Sequence, residues 1–142
     1  FAGRLDAKLT AFQLDVTDLQ ATGLELVGGV PQFAAGTVGD LRNRGVEAEL
    51  NARPLDGLSL YANLAWQDAR YRRAAVAARP LFAPDFTVGA GGRWDVALPK
   101  SGAILSPTVD ILWRSAMETD LLNLGPGAPA TLLVDGGFAL RT

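Results

Sequence analysis

The sequence contains no cysteine and no histidine among its 142 residues. The absence of cysteine excludes disulfides and thiolate metal sites. The absence of histidine removes the commonest general base and the commonest transition-metal ligand. Lysine and arginine number 13 against 15 aspartates and glutamates, which gives a formal net charge of −2. This balance gives no electrostatic reason to expect a nucleic acid as a partner.

Long apolar runs are also missing, although apolar residues make up 49% of the sequence. The longest uncharged runs, residues 26–39 and 121–134, are interrupted by glycine and proline. Both are shorter than the roughly 18 apolar residues that a membrane-crossing helix needs. The choice is therefore between a soluble all-β domain and a membrane β-barrel.

What the sequence does contain is alternation of polar and apolar residues, which is typical of a strand with two unlike faces. In residues 85–98, for example, Phe86, Val88 and Trp94 share one face, and Arg93 lies on the other. Five further segments alternate in the same way: residues 3–16, 45–53, 58–67, 105–114 and 132–141. The sequence therefore predicts six strands.

Two positions interrupt the alternation. The first segment loses its phase near Phe12, where we expect a β-bulge. Pro107 lies inside the fifth segment and cannot donate a ladder hydrogen bond. We therefore expect a second bulge at Pro107, or a strand that effectively begins after it.

The connections between the predicted strands alternate strictly between short and long. The short ones are residues 54–57 and 99–102, and the long ones are residues 17–38, 72–83 and 117–130. Outer-membrane barrels show this pattern, with short periplasmic turns and long external loops. We therefore predict an all-β fold, an antiparallel up-and-down transmembrane β-barrel, of which six strands are present here as a curved open sheet.

The direction of the two faces decides between a membrane barrel and a soluble one. In a membrane barrel the apolar face meets lipid and the charged face lines a wet lumen. Phe86 and Trp94, near the two ends of one apolar face, are separated by roughly 20 Å along a tilted barrel axis. This is close to the ~25 Å apolar band between the aromatic girdles of such barrels.

Several motifs occur in the order and spacing of a known family. They are Asn43-Arg-Gly-Val-Glu-Ala-Glu-Leu, Pro54-Leu-Asp-Gly-Leu-Ser-Leu, Asn63-Leu-Ala, Asp68-Ala-Arg-Tyr71 and Ala83-Pro84-Asp85-Phe86-Thr87. Together they resemble the barrel of TonB-dependent receptors. The resemblance covers most of residues 1–98, and residues 99–142 fit as further strands without distinctive motifs.

The resemblance implies a bacterial outer-membrane transporter rather than an enzyme, with a barrel of about 22 strands and an N-terminal plug. It implies uptake of a scarce ligand, most commonly a ferric siderophore, and otherwise cobalamin, haem or a sugar. The implied partners are the lipid bilayer, lipopolysaccharide and TonB, and TonB contacts the plug. The resemblance implies no cofactor. We expect residues 1–142 to be part of such a barrel within a longer chain, without the plug or the terminal strand.

No group of residues predicts a catalytic or metal site. Glu47 and Glu49 project to one face of a strand, which suits a structural pair better than acid–base chemistry. The candidate ligand-binding residues are basic side chains of a loop and polar side chains of the lumen: Tyr61, Arg72, Arg73, Arg79 and Arg93. The basic loop suits an anionic ligand and a lipopolysaccharide headgroup equally well.

Two other functions remain open at this point. One is a passive porin-like channel or a structural outer-membrane barrel, which needs no energy coupling. The other is a soluble β-barrel that binds a ligand, or acts as an enzyme, with its apolar face inside.

Overall fold

The computed structural model describes residues 4–72, 79–119 and 125–142, and the only regular elements among them are β-strands. The strands are β1 (Leu5–Val27), β2 (Val30–Ala52), β3 (Leu58–Arg72), β4 (Phe86–Trp94), β5 (Val96–Ala97), β6 (Ile104–Arg114) and β7 (Thr131–Arg141). They form one sheet whose strand pairings are all antiparallel. In the described ranges, no helix has the length and apolar character that a membrane crossing requires.

Strands β4 and β5 are two parts of one predicted strand. Both pair with β6 in a single register, with Arg93 opposite Thr108 and Val96 opposite Leu105. The break falls at Asp95, whose N–H bonds to the carbonyl of Gly57, in the turn that precedes β3, at 2.8 Å. With these two parts counted together, the sheet is a six-stranded up-and-down meander that forms an open, curved half-barrel, which confirms the predicted fold class.

The prediction for Pro107 is wrong, because β6 begins before it and keeps an unbroken register with β7. The N–H of Ser115 bonds to the carbonyl of Phe86. In an antiparallel ladder such bonds alternate, so the N–H that residue 107 lacks would face Trp94. The interruption between β4 and β5 lies there, and it accommodates the missing hydrogen bond without a bulge.

The predicted loop at residues 17–38 is also wrong. Strands β1 and β2 continue through it and meet at a two-residue turn, in which Gly28 and Gly29 have φ angles of 63° and 83°. Two successive positive φ angles suit the tight turn of a hairpin. Backbone pairing across this turn needs no alternation of side chains, so the pattern did not reveal it. The hairpin extends about 33 Å beyond the end of β3, at ~3.3 Å per residue.

A bulge is present in β1, but not at Phe12. Phe12 pairs in register with Gly45, and its ring occupies the space that a side chain at residue 45 would take. This packing explains why Phe12 interrupts the alternation of apolar residues. The register shifts between Val16 and Leu19, where Asp18 adopts a φ of 52°. A second shift directly after Leu19 restores the original register.

The two predicted short turns are confirmed. In the first, Gly57 has a φ of 78°, and the N–H of Leu58 bonds to the carbonyl of Leu55 at 3.2 Å. In the second, Gly102 has a φ of 68° and donates its N–H to the carbonyl of Leu98. Glycine is suited to both positions because other residues rarely adopt a positive φ.

The apolar face of the sheet is exposed and does not close on a core. Leu64, Trp94 and Ile111 expose 41%, 49% and 41% of their surface. The buried residues of the described part are few and small: Gly45, Ala69, Pro80, Gly89, Ala103 and Ser106. A soluble barrel with its apolar residues inside would bury Leu64, Trp94 and Ile111. Their exposure therefore fits an apolar face that meets hydrocarbon.

The strand registers define the two faces residue by residue. We call the face that carries Leu64 and Trp94 the outer face, and the opposite one the inner face. From the level of Trp94 to the level of Trp66, no described strand places a charged residue on the outer face. We call this zone the apolar band. Its large side chains include Leu9, Leu50, Leu60, Leu64, Trp66, Phe86, Val88, Trp94, Val109, Ile111, Trp113, Val134 and Phe138.

Candidate functional site

The middle of the inner face is organised around a hydrogen bond that crosses a whole strand. The hydroxyl of Tyr61 on β3 donates to Asp110 Oδ1 on β6 at 2.6 Å. Gly91 lies between them on β4, and a Cβ built on it would lie 2.5 Å from Asp110 Oδ1 and 2.7 Å from Tyr61 Cε1. Glycine is therefore required at this position, because any larger side chain would occupy the space of the bond.

A groove of about 230 Å³ lies beside this hydrogen bond. Its polar lining comes from four strands and consists of Asn51, Ser59, Tyr61, Arg93, Thr108 and Asp110. The structure therefore brings together two of the predicted ligand-binding residues, Tyr61 and Arg93. The groove offers a guanidinium, hydroxyls and a carboxylate to a small polar group in the lumen.

Arg93 is held in place by a cluster at the short-turn end of the inner face. Its Nε donates to Asp95 Oδ1 at 2.8 Å and its Nη2 to Ser106 Oγ at 3.1 Å. Ser106, which is 1% exposed, donates to Asp95 Oδ1 at 2.5 Å, and Arg141 Nη2 lies 3.5 Å from Asp95 Oδ2. A guanidinium has five N–H donors, so the cluster orients Arg93 and leaves donors for the groove.

The other predicted ligand-binding residues lie elsewhere. Arg72 is the last residue of β3, and its register opposite Asp40 places it on the outer face, away from Tyr61. Arg79 lies in the connection after β3 and pairs with Asp85, and this hydrogen bond raises the pKa of Arg79. Arg73 lies outside the described residues.

A group of ion pairs that the sequence analysis missed lies on the outer face, beyond the apolar band. Asp68 accepts from Arg70 Nε at 2.6 Å and from Arg44 Nη2 at 3.1 Å, and Asp15 accepts from Arg42 Nε at 2.5 Å. We call these five residues the charged rim. The signal was present in the sequence, because Asp68 and Arg70 continue the alternation of β3 in phase with its apolar residues.

Glu47 and Glu49, the paired carboxylates of β2, face residues of the neighbouring strands. Glu49 Oε1 lies 3.8 Å from Lys8 Nζ on the neighbouring strand, with about half of its side chain exposed. Glu47 pairs in register with Thr10 and Ala65. Over the described ranges, no three or more acidic, histidine or cysteine residues are grouped to hold a metal ion.

Comparisons with known proteins were made for the sequence and for the fold. The family model described as "TonB dependent receptor-like, beta-barrel" matches residues 1–136. No curated protein matches the sequence. Among solved structures, the chain is similar to BauA, the ferric preacinetobactin receptor from Acinetobacter baumannii, with a TM-score of 0.74 and 20% sequence identity. The similarity covers 99% of this chain and 21% of that receptor, and at this identity it concerns the fold.

Proposed function

Since the chain belongs to the TonB-dependent receptor-like β-barrel family, we propose that it forms part of the wall of a bacterial outer-membrane receptor. The receptor takes up a scarce ligand with energy supplied through TonB. The observation that carries this proposal is the family match over residues 1–136. The family is one of receptors and transporters and not of enzymes.

The two faces of the sheet support the location in the membrane. The outer face presents an uncharged band of membrane height, and the inner face carries the polar groove beside Tyr61 and Arg93. A lipid-facing wall and a wet lumen have these properties. We assign the contact with TonB to a plug domain outside this segment, because the strands of the described residues form barrel wall.

The ligand class that we propose is a ferric siderophore or a similar iron chelate. The support is the structural similarity to a receptor for ferric preacinetobactin. Within this segment, Tyr61 and Arg93 are the proposed lumen contacts, because both line the inner-face groove. Arg72, Arg73 and Arg79 remain predicted contacts at the loop end, and of these Arg72 and Arg79 do not line that groove.

Iron uptake by the full-length receptor tests this function. In an iron-limited strain with no other siderophore receptor, we expect labelled iron to accumulate from at least one ferric siderophore, and only when TonB is present. Accumulation without TonB would indicate a passive channel. Uptake of another nutrient, but of no iron chelate, would support the transporter function and overturn the proposed ligand class.

A matched pair of variants tests the groove. Thr108→Ile fills part of it without a change of charge, and isoleucine suits a strand. We expect the half-saturation concentration for uptake to rise about tenfold or more, since small steric changes in a binding site have effects of that size. Thr10→Ile, on the inner face of β1 and outside the groove, is the control. Equal effects of the two variants would exclude the groove from the ligand path.

A further inference from the structure

Two neighbouring cross-strand rows of the inner face carry charges of opposite sign. The strand registers place the residues of the first row side by side: Asp6, Asn51, Tyr61, Gly91, Asp110 and Asp135. The next row toward the short turns consists of Arg4, Arg53, Ser59, Arg93, Thr108 and Gly137. We call them the acidic row and the basic row. The acidic row has three carboxylates and no cation among the described residues, and the basic row has three guanidiniums and no anion.

The basic row does not neutralise the acidic one. Asp110 and Asp135 lie directly opposite each other on β6 and β7, and like charges in such a position repel each other. Arg93 is a diagonal neighbour of Asp110 on β4, but its Nε and Nη2 donate to Asp95 and Ser106 instead. Among the described residues, neither Asp110 nor Asp135 takes part in an ion pair. Their negative charge is therefore left uncompensated within this part of the wall.

The two aspartates suit an ammonium group better than a metal ion. Asp110 accepts from the Tyr61 hydroxyl through Oδ1 and keeps Oδ2 for another donor. Calcium takes about six to eight oxygen ligands, which is more than two carboxylates and a phenol supply. The described residues also contain no cluster of three or more acidic side chains that would hold a metal. An ammonium has three N–H donors, and two neighbouring carboxylates can accept them.

The donors of Arg93 suit an anionic group. A guanidinium has five N–H donors, and the cluster at the short-turn end uses one at Nε and one at Nη2. The others are available to the groove of about 230 Å³ that Arg93 lines together with Asp110. A guanidinium pairs well with a carboxylate through two parallel hydrogen bonds. Because successive rows are about 6.6 Å apart along a strand, one small group can contact both charges.

We propose that this groove binds an amphoteric group of the ligand, which carries an amine and a carboxylate close together. The ammonium lies between Asp110 and Asp135, and the carboxylate lies on Arg93. The inference rests on the proposed uptake of an iron chelate, and it specifies the chemical class of that chelate. A chelate with only acidic or only neutral groups would leave the aspartates without a partner.

Binding of four ferric trihydroxamate probes to the detergent-solubilised full-length receptor tests the inference, with calorimetry as the measurement. All four carry a lysine coupled through its side-chain amine. In the first probe the α-amine and the α-carboxylate are free, in the second the amine is acetylated, in the third the carboxylate is amidated, and in the fourth both are blocked. The test variants are Asp110→Asn, Asp135→Asn and Arg93→Gln. Glu47→Gln and Arg114→Gln, which change inner-face charges outside the groove, are the controls.

We expect the wild type to bind the first probe at least about tenfold more tightly than either singly blocked probe, since a hydrogen bond between charged groups contributes at least that factor. The two aspartate variants should weaken binding only of probes with a free amine. Arg93→Gln should weaken binding only of probes with a free carboxylate, and the controls should stay within about twofold of the wild type. A variant that merely folded poorly would lose all four probes alike.

Three results would overturn the inference. They are equal binding of the four probes by the wild type, binding of none of them, and losses in the variants that do not depend on the end group. Free lysine that binds as tightly as the first probe would identify a site for amino acids and would also overturn the assignment to a chelate.

Iron uptake by the same receptor separates this inference from the proposed function. TonB-dependent uptake of a ferric siderophore, together with equal binding of the four probes, would defeat the inference alone. The expected pattern of probe binding without TonB-dependent uptake of any iron chelate would retain the amine and carboxylate site and defeat the function.

Discussion

Trp66 and Asp68 lie two residues apart on the same face of β3, and the edge of the apolar band passes between them. On one side of this edge the described strands carry no charged residue within the apolar band, and on the other side Asp68 bonds to two arginines. Two residues of a tilted strand advance only about 5 Å along the barrel axis. The boundary is therefore as sharp as the interface of a bilayer, and it fixes the height of the wall in the membrane.

A charge introduced in the middle of the apolar band should destabilise the barrel strongly. Ala62→Arg places a guanidinium midway between the two aromatic girdles, where it should cost about 2–4 kcal/mol of folding free energy. Ala65→Arg, on the inner face of the same strand, is the control and should cost far less. Urea unfolding of the full-length protein in lipid vesicles measures both. Equal losses in the two variants would mean that the outer face does not meet hydrocarbon.

Gly91 should be intolerant of even a methyl group. Besides the two side chains of the Tyr61–Asp110 bond, a Cβ at this position would lie 2.7 Å from the carbonyl oxygen of Val109. We expect Gly91→Ala to lower the free energy of unfolding by about 1–3 kcal/mol, as overpacking does. At Gly136 the nearest atom would be 3.8 Å away, so Gly136→Ala should be tolerated. Urea unfolding checks both variants, and a stable Gly91→Ala protein would contradict the packing described here.

The fold class could be predicted from sequence because a membrane wall imposes its two faces on every strand. Residues 85–98 alternate over their whole length, and the structure places Phe86 and Trp94 on the exposed outer face as expected. The hairpin at residues 17–38 could not be recognised, because backbone pairing holds it without a pattern of side chains. Pro107 was misread for a related reason: its effect depends on which neighbouring strand its missing N–H would face.

The candidate site could be predicted only in part, because single residues do not reveal which strands meet. The alternation correctly placed Tyr61 on the polar face, but its bond to Asp110 spans 49 residues of sequence and needs the strand order. Arg72 was grouped with the loop arginines, although its phase on β3 assigns it to the outer face. Which residues come together depends on the order and register of the strands.

The buried hydroxyl of Ser106 should contribute measurably to the cluster at the short-turn end. Ser106→Ala removes the donor to Asp95 and the acceptor for Arg93, at a position that is 1% exposed. We expect a loss of about 1 kcal/mol in the free energy of unfolding, the net value of a typical hydrogen bond. Ser59→Ala, at an exposed position on the inner face of β3, should have no comparable effect. An unchanged Ser106→Ala protein would show that the cluster is held by its ion pairs alone.

Asp110 and Asp135 face each other directly across β6 and β7. Like charges in such a pair are destabilising, so Asp135→Asn should raise the free energy of unfolding by about 0.2–1 kcal/mol. The gain should shrink in high salt, because exposed charges are screened. Asp6→Asn, opposite Asn51 on the same face, is the control and should give no gain. If Asp135→Asn destabilises the full-length protein instead, Asp135 must be paired with a cation across the free edge of β7. The next strand of the barrel would then contribute a basic residue to this face.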